Sequence, residues 1–179
     1  MNIRQAAISD VDQLSILFAQ YRVFYEQSFE PGEAKQFLEE RFSTEESIIF
    51  IAVENGEQTG FTQLYPSFSS VGLKKIWIIN DLFVSSDHRQ KGIAQALINH
   101  VIEYSKTTGR NKVVLSTAFD NVNAQKLYEK LGFNRSEFYN YEIDCEGSRS
   151  RVKFSKELNP GLQSFDTWLA ENAKRIPLE

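Results

Sequence analysis

A short basic loop with a single glycine is the first part of the sequence whose residue types could do chemistry. Its residues are Arg89, Gln90, Lys91, Gly92, Ile93 and Ala94. An apolar run that ends at Val84 precedes the loop, and apolar residues at helical spacing follow it. Amides at the start of a helix lack internal partners, and the helix dipole adds about half a positive charge there. The loop therefore predicts a phosphate or pyrophosphate site, with an ordinary turn and solvated basic side chains as the alternative.

The elements that must position this loop are predicted by the apolar patterns along the chain. These patterns indicate a strand, two helices, three strands, a helix, a strand, a helix and two closing strands. Asn55 and Gly56 between two apolar runs predict a hairpin, and Gly132 predicts the end of the last helix in this series. Hairpins followed by a strand–helix–strand crossover predict an α/β fold with a mixed sheet and helices on both faces.

Two local predictions concern the ends of this series. Ser9 and Asp12 have the spacing of an acidic capping box, which predicts that they cap the first helix. The closing strands are expected over residues 133–144 and 150–155.

The segment 156–179 is predicted to be a helical extension of a domain that covers residues 1–155. One face of this helix carries the apolar side chains Leu162, Phe165, Trp168 and Leu169. Such a stripe needs an apolar partner, which is either the chain's own domain or a second subunit. We expect a homodimer, and both partners of the stripe remain open.

Composition and charge argue against several functions. The 179 residues fit one domain, and the net charge of −4 argues against nucleic-acid binding, where a basic face is expected. The lone cysteine, Cys145, and two histidines are too few for a disulfide framework or a metal site. No apolar run is long enough for a membrane span, and the first residues lack the pattern of a signal peptide. We therefore expect a cytoplasmic protein with no metal, membrane or nucleic-acid partner.

The basic loop resembles the Arg/Gln-x-x-Gly-x-Gly/Ala signature of the GCN5-related N-acetyltransferase (GNAT) superfamily. The preceding segment DLFVSSDHR and the later segment NVNAQKLYEKLGF are similar to two further motifs of that family, in the same order. The resemblance covers residues 2–155 and implies the GNAT acyl-CoA N-acyltransferase fold, a central mixed, mostly antiparallel sheet flanked by helices. It also implies an N-acetyltransferase that moves the acetyl group of acetyl-CoA to a primary amine by direct attack in a ternary complex.

The acceptor implied by this resemblance is a small-molecule amine. A protein lysine or N-terminal amine is the alternative acceptor, and non-catalytic acyl-CoA sensing is the alternative function. The segment YRVFYEQ leans towards the polyamine and HPA2-like branch of the family. However, Asn80 precedes Asp81 where polyamine-type relatives often carry Glu-Asp, and this departure weakens the case for a polyamine.

The resemblance assigns contacts with acetyl-CoA to one strand, the basic loop and the last predicted helix. Backbone groups of the strand would hold the pantetheine arm, and the loop would hold the pyrophosphate. The residues assigned to this co-substrate are Leu82, Phe83, Val84, Arg89, Gln90, Lys91, Gly92, Ile93, Ala94, Asn123 and Tyr128. A helix cap formed by Asn123 or Asn121 is the alternative role for Asn123.

Tyr128 and Asp81 are the catalytic candidates. Tyr128 matches the family's tyrosine that protonates the departing thiolate, and a core aromatic on an amphipathic helix is its alternative role. Asp81 stands within an apolar strand, where an acid is costly unless it is partnered. Its role stays open among a base for the amine, a counter-charge for a cationic substrate and a structural hydrogen bond.

The acceptor pocket is expected among the first helices, the hairpin and the final strands. The residues predicted to contact the acceptor are Tyr25, Glu26, Asp81 and Tyr139, and further aromatic candidates are Tyr21, Tyr65 and Tyr141. Aromatic rings there would attract a cation, at about 0.5–2 kcal/mol for each contact. Ordinary packing is the alternative for each ring.

Overall fold

The computed structural model describes residues 1–138 and 140–143. The strands are β1 (Asn2–Gln5), β2 (Ile48–Glu54), β3 (Glu57–Ser69), β4 (Lys74–Val84) and β5 (Lys112–Leu115). The helices are α1 (Val11–Phe24), α2 (Pro31–Ser43), α3 (Ile93–Thr107) and α4 (Val122–Lys130). Two short 3-10 turns, Ile8–Asp10 and Ser86–His88, precede α1 and follow β4. The predicted order of elements is confirmed as far as α4.

The five strands form one sheet in the order β1-β2-β3-β4-β5. The first four are antiparallel neighbours, whereas β5 pairs parallel to β4 after the crossover through α3. The β2–β3 hairpin turns at Asn55 and Gly56, which both have positive φ, as this kind of turn requires. The prediction of a mixed, mostly antiparallel sheet flanked by helices is therefore confirmed.

The two faces of the sheet are buried by different helices. Helices α1 and α2 cover the face that carries Ile49, Ile51, Phe61 and Phe83. Helix α3 covers the opposite face, with Phe50, Ala52, Leu64, Trp77 and Ile79. Consecutive residues of a strand point to opposite faces, so the apolar runs of the strands fill both layers. Each fully buried Leu, Ile or Phe side chain stabilises this arrangement by roughly 1.5–3 kcal/mol.

A β-bulge changes the direction of the side chains of β4 in the middle of the strand. Gln63 of β3 pairs with Asp81, but its neighbour Leu64 pairs with Ile79, so Asn80 is an extra residue on β4. Residues an even number of positions apart on a regular strand share a face. Ile79 and Phe83 are four positions apart, yet Ile79 packs towards α3 and Phe83 towards α1 and α2. The bulge therefore turns Asp81 to the face covered by α1.

The predicted capping box of Ser9 and Asp12 is wrong. The helical segment begins one turn earlier than predicted, in the 3-10 turn that follows Ala7. The Asp10 carboxylate accepts the Ala7 N–H at 2.8 Å, and Arg4 donates to the same carboxylate at 2.7 Å. These bonds with Arg4 lower the pKa of Asp10. Because the helical segment starts after Ala7, the acid that caps it from three positions later is Asp10 rather than Asp12.

Every helix and strand of the described residues belongs to a compact unit that spans residues 1–135. A second unit begins at Ser136, and its residues 136–138 and 140–143 have no regular secondary structure. The strand predicted over 133–144 is therefore not found in the part of that segment that the structure describes. Tyr139, the strand predicted over 150–155 and the extension 156–179 lie outside the described residues. The boundary at residue 155 and the homodimer stay predictions.

Candidate active site

The basic loop leads from the end of β4 into α3 through two left-handed residues. Gln90 has φ 62° and Gly92 has φ 80°, and α3 begins directly after Gly92. A left-handed conformation favours glycine at position 92. A Cβ atom placed on Gly92 would meet no atom within 4 Å, so the space in front of this residue is open.

Six consecutive backbone amides, those of residues 90–95, have no hydrogen-bond partner in the described chain. The helix ladder starts only at Ala96, whose N–H donates to the Gly92 carbonyl at 3.0 Å. The preceding amide of Arg89 is bonded to the Ser86 carbonyl at 3.4 Å. Unpaired amides at a helix N-terminus form a site for an anion, and the helix dipole adds to its positive potential. The residues of the predicted pyrophosphate site therefore fit an anionic pyrophosphate group.

Arg89 also holds the end of β4. Its Nε donates to the Val84 carbonyl at 3.2 Å, and its guanidinium carbon lies 5.6 Å from the centre of the Phe83 ring. Lys91 is exposed and has no hydrogen bond or ion pair within residues 1–138. The two basic residues thus differ, because Arg89 is tied to the strand while Lys91 keeps its charge free for an anion.

Backbone groups of β4 beyond the bulge face an open edge of the sheet. β5 pairs with β4 only as far as Ile79, and no other described strand continues this pairing. The Ser85 N–H donates to a carbonyl of β3 at 3.0 Å, so Ser85 and Phe83 direct their backbone groups to β3. Leu82 and Val84 direct theirs to the open edge. Of the three residues predicted to bind pantetheine, these two therefore have backbone groups that face the edge.

Helix α4 contains Tyr128 and Asn123, and its first turn separates the roles of two asparagines. Asn121 caps the helix, since its side-chain oxygen accepts the Ala124 N–H at 3.3 Å. The exposed Asn123 side chain makes no hydrogen bond with another described residue. Asn121 thus takes the capping role that was an alternative for Asn123, whose amide stays free for a ligand.

Tyr128 is partly buried on α4, and its ring centre lies 6.0 Å from that of Phe133. Burial is the main cause that raises the pKa of its hydroxyl, and the nearby Tyr25 adds to the rise. A phenol with a raised pKa remains protonated at neutral pH, so Tyr128 is able to act as a proton donor.

Asp81 is the buried carboxylate of the site, with 5% of its surface exposed. The Asn80 side-chain amide donates to Asp81 Oδ2 at 3.0 Å. Burial raises the pKa of Asp81, and the neighbouring Asn80 amide and Tyr21 hydroxyl oppose part of the rise. The pKa of Asp81 is therefore closer to neutral than that of an exposed aspartate, as suits a base that works near neutral pH.

The comparisons with known proteins agree with this arrangement of loop, edge and helix. The model of the acetyltransferase (GNAT) family matches residues 14–133, which include β4, the loop and α4. The chain belongs to the GNAT family.

Two curated relatives and one solved structure illustrate how similar this GNAT chain is to other members. It is 47% identical over 133 residues to "Uncharacterized N-acetyltransferase YhfO" of Bacillus subtilis (strain 168), which covers 74% of this chain and 89% of the relative. A "probable acetyltransferase" of Haemophilus influenzae is 32% identical over 149 residues, covering 81% of this chain and all of the relative. A crystal structure of a probable acetyltransferase has 40% identity and a TM-score of 0.75, covering 80% of this chain and 97% of the other.

These matches confirm the predicted family and the predicted fold. The GNAT chain is an acetyl-CoA-dependent N-acetyltransferase, since the family's enzymes use acetyl-CoA as co-substrate and transfer its acetyl group to an acceptor. In the part of the chain that the structure describes, no group of three His, Cys, Asp or Glu side chains could hold a metal ion. No helix within these residues is both long enough and apolar enough to cross a membrane.

The structure describes most of the residues that were predicted to contact the acceptor of this GNAT enzyme. Tyr25 is half exposed at the end of α1, and its ring centre lies 5.1 Å from that of Tyr21. Tyr65 of β3 lies near Asp81, and burial with this carboxylate raises the pKa of the Tyr65 hydroxyl. Glu26 is exposed with φ 61°, and its carboxylate forms no hydrogen bond or ion pair in the described residues. Tyr141 is exposed as well, in the second unit.

Gln63 is a site residue that the sequence reasoning missed. It is fully buried, pairs with Asp81 across the β3–β4 ladder and therefore points to the same face. Its Nε2 donates to the Ser47 hydroxyl at 2.7 Å, while its Oε1 is buried without a partner in the described residues. The signal that could have found Gln63 is a polar residue two positions from Phe61, which places it on the same face of the strand as that core aromatic.

Proposed function

We propose that this enzyme acetylates a small molecule with a primary amine, by direct attack of the neutral amine in a ternary complex. The observation that carries the proposal is the row of six unpaired amides beside the open edge of β4, together with a buried carboxylate on that strand. The amides account for binding of the co-substrate, and Asp81 accounts for an amine as acceptor.

Acetyl-CoA would be held by main-chain groups more than by side chains. The amides of residues 90–95 would bind its pyrophosphate, with Lys91 as the nearby positive charge. Leu82 and the Val84 N–H would hydrogen-bond the pantetheine arm as an added strand, and Asn123 would bind it from α4. When bound, acetyl-CoA supplies a thioester whose carbonyl carbon is open to attack by an amine.

Asp81 would take the proton that an amine must lose before or during attack. An ammonium group is not a nucleophile, so its deprotonation by a positioned base is a chemical requirement. The raised pKa of Asp81 suits this transfer, and its negative charge would attract a cationic amine to the same place. Gln63 and Tyr65 lie beside this carboxylate and would bind the N–H groups or alkyl chain of the amine.

Tyr128 would provide the proton for the leaving thiolate. Its protonated hydroxyl at neutral pH supports this role, because a donor must carry its proton when the carbon–sulfur bond breaks. An intact Tyr128 favours catalysis over acyl-CoA sensing, for which this hydroxyl would be unnecessary.

The test is a screen of acceptors with release of free thiol as the signal. The panel contains polyamines, amino acids, aminoglycosides and lysine-containing peptides, each with acetyl-CoA and the wild-type chain. We expect turnover with one class of small amine and none without an amine. Turnover with peptides alone would instead assign a protein acceptor. Binding of acetyl-CoA without turnover on any amine would contradict the proposal and favour a sensing role.

A further inference from the structure

Gly60 of β3 lies beside the point where β4 ends and the chain leaves for the basic loop. It is buried and pairs with Val84, the last residue of β4. The Ser85 N–H then donates to the carbonyl of the neighbouring Thr59 at 3.0 Å. The sheet therefore holds the chain as far as Ser85, four residues before Arg89 of the basic loop.

The start of α3 packs on Gly60 through Ile93. Ile93 is the first residue of α3 and is 2% exposed, in the apolar cluster against which Val84 also packs. Its Cγ2 methyl lies 3.3 Å from the position that a Cβ atom on Gly60 would occupy, and the Val84 Cγ2 methyl lies 3.2 Å from it. Non-bonded carbon atoms pack best at about 3.5–4.0 Å, so these two methyl groups already fill the space that a side chain at position 60 would need.

The backbone of β4 comes closer still to Gly60. The Phe83 carbonyl oxygen lies 2.8 Å from the same Cβ position, whereas carbon and oxygen atoms in contact stay about 3.3–3.6 Å apart. Gly60 does not have the positive φ of Gly92. Glycine is therefore required at position 60 by the close approach of β4 and α3 rather than by a left-handed conformation.

The two elements that meet at Gly60 carry the two parts of the proposed acetyl-CoA site. Val84 belongs to the open edge of β4, which would bind the pantetheine arm. Ile93 belongs to the row of unpaired amides, which would bind the pyrophosphate. A ligand that bridges two sites gains the full affinity of both only when their spacing matches the length between its own groups. Affinity for acetyl-CoA should therefore depend on the distance between the edge and the amides.

We propose that Gly60 is a positioning residue that sets the spacing between the open edge of β4 and the unpaired amides at the start of α3. Because Gly60 has no side chain, Ile93 packs directly on the strand and holds α3 close to the end of β4. An added methyl group would displace one of these two elements from the other and leave the hydrogen-bonding groups of each in place. The inference rests on the proposed function only through the placement of acetyl-CoA along this edge and loop.

The test measures the binding of acetyl-CoA and of its two halves to Gly60→Ala. The halves are acetylpantetheine and adenosine 3′-phosphate 5′-diphosphate, which carries the pyrophosphate. Overpacking by one methyl group is enough to change an equilibrium constant about tenfold, so the Kd of acetyl-CoA should rise by about that factor. Each half occupies only one part of the site, so its Kd should equal that for the wild type. Isothermal titration measures acetyl-CoA and the nucleotide half, and ligand-observed NMR measures acetylpantetheine.

The two halves separate a change of spacing from general damage to the site. The matched control is Gly32→Ala, because a Cβ atom on Gly32 would meet no atom of the described chain within 4 Å, and all three ligands should bind it normally. An unchanged Kd of acetyl-CoA in folded Gly60→Ala would overturn the proposal. A loss that either half shows to the same extent as acetyl-CoA would also overturn it, since one part of the site would then itself be damaged.

Ile93→Ala alters the same contact from α3 and decides the question if circular dichroism shows that Gly60→Ala does not fold. Loss of the Cγ2 methyl removes the group that spaces α3 from Gly60, so acetyl-CoA should again bind about tenfold more weakly while both halves bind normally. The same two outcomes would overturn the proposal. Gly92→Glu then shows which inference has failed. If it binds the nucleotide half as the wild type does, the proposed placement of acetyl-CoA fails and the role of Gly60 fails with it. If it loses the nucleotide half while Gly60→Ala keeps acetyl-CoA, only the role of Gly60 fails.

Discussion

The two sides of the active site are built in different ways. The proposed acetyl-CoA side is exposed and consists mainly of backbone groups from one short segment around Gly92. The proposed acceptor side is centred on the buried Asp81 and consists of side chains that come from α1, β3 and β4. The first depends on a local backbone conformation and the second on tertiary packing, so single substitutions should affect them differently.

The largest effect is expected from Gly92→Glu on the acetyl-CoA side. A carboxylate would enter the open space in front of the amides, and the left-handed φ of this residue adds backbone strain. Repulsion of a pyrophosphate by this carboxylate costs several kcal/mol, so we expect acetyl-CoA affinity to fall at least about 1000-fold in isothermal titration. Gly32→Glu, in the exposed first turn of α2, is the control and should bind normally. Comparable affinities in the two variants would show that the anion binds elsewhere.

Tyr128→Phe tests whether catalysis can be separated from co-substrate binding. Loss of a general acid lowers rates by about 100-fold or more, so kcat should fall by that amount while the Kd of acetyl-CoA changes little. Stopped-flow thiol release and titration calorimetry measure the two quantities. A kcat equal to that of the wild type would remove the Tyr128 hydroxyl from the mechanism.

Asp81→Asn tests the buried side through the pH profile of kcat/KM. In the wild type, kcat/KM should fall as the pH is lowered through the raised pKa of Asp81, because only the ionised carboxylate accepts a proton. In the variant, we expect a rate about 100-fold lower and the loss of this acidic limb. An acidic limb that persists in Asp81→Asn belongs to a different group.

The same variant should be more stable than the wild type at neutral pH. A carboxyl group whose pKa is raised by folding binds its proton more tightly in the native state. Its contribution to stability is therefore greatest below the pKa of the unfolded chain and is lost as the pH rises through the folded pKa. Asparagine has no charge to bury, so unfolding in urea should show a gain on the order of 1 kcal/mol. A loss of stability would mean that Asp81 has a mainly structural role.

The smallest effects are expected from the pair of asparagines on α4. Asn121→Ala removes a helix cap and should lower stability by about 1 kcal/mol, as measured by urea unfolding. Asn123→Ala should leave stability unchanged and weaken acetyl-CoA binding by a single hydrogen bond, about 1 kcal/mol. If Asn123→Ala lowers stability and spares binding, the separation of roles between the two residues is wrong.

The prediction of the acetyl-CoA side depended on neighbouring residues in the chain. Gly92 and its basic neighbours lie within one turn, so their types indicate the backbone conformation that follows. The order of elements up to α4 was predictable for the same reason, since strand and helix periods are local properties. The first helix cap was mispredicted because two overlapping acidic positions, Asp10 and Asp12, have similar local patterns.

The acceptor side was only partly predictable because its residues are far apart in the chain. Asp81 was noticed as an acid among apolar residues, but period two would place it on the same face as Ile79. The extra residue Asn80 reverses that direction, and no feature of the sequence specifies where the ladder with β3 shifts. Tyr21 was only a possible lining residue, and Gln63 was missed.

The sequence by itself indicated the family, the order of elements up to α4 and the loop that is predicted to bind an anion, because each depends on contiguous residues. Only the tertiary structure decided which face of β4 carries Asp81, which backbone groups of Leu82 and Val84 meet an open edge, and which tyrosines lie near the buried carboxylate. The physical reason is that strand register and helix packing depend on the total burial of distant apolar side chains. The pattern of residues that are neighbours in the chain does not specify this total burial.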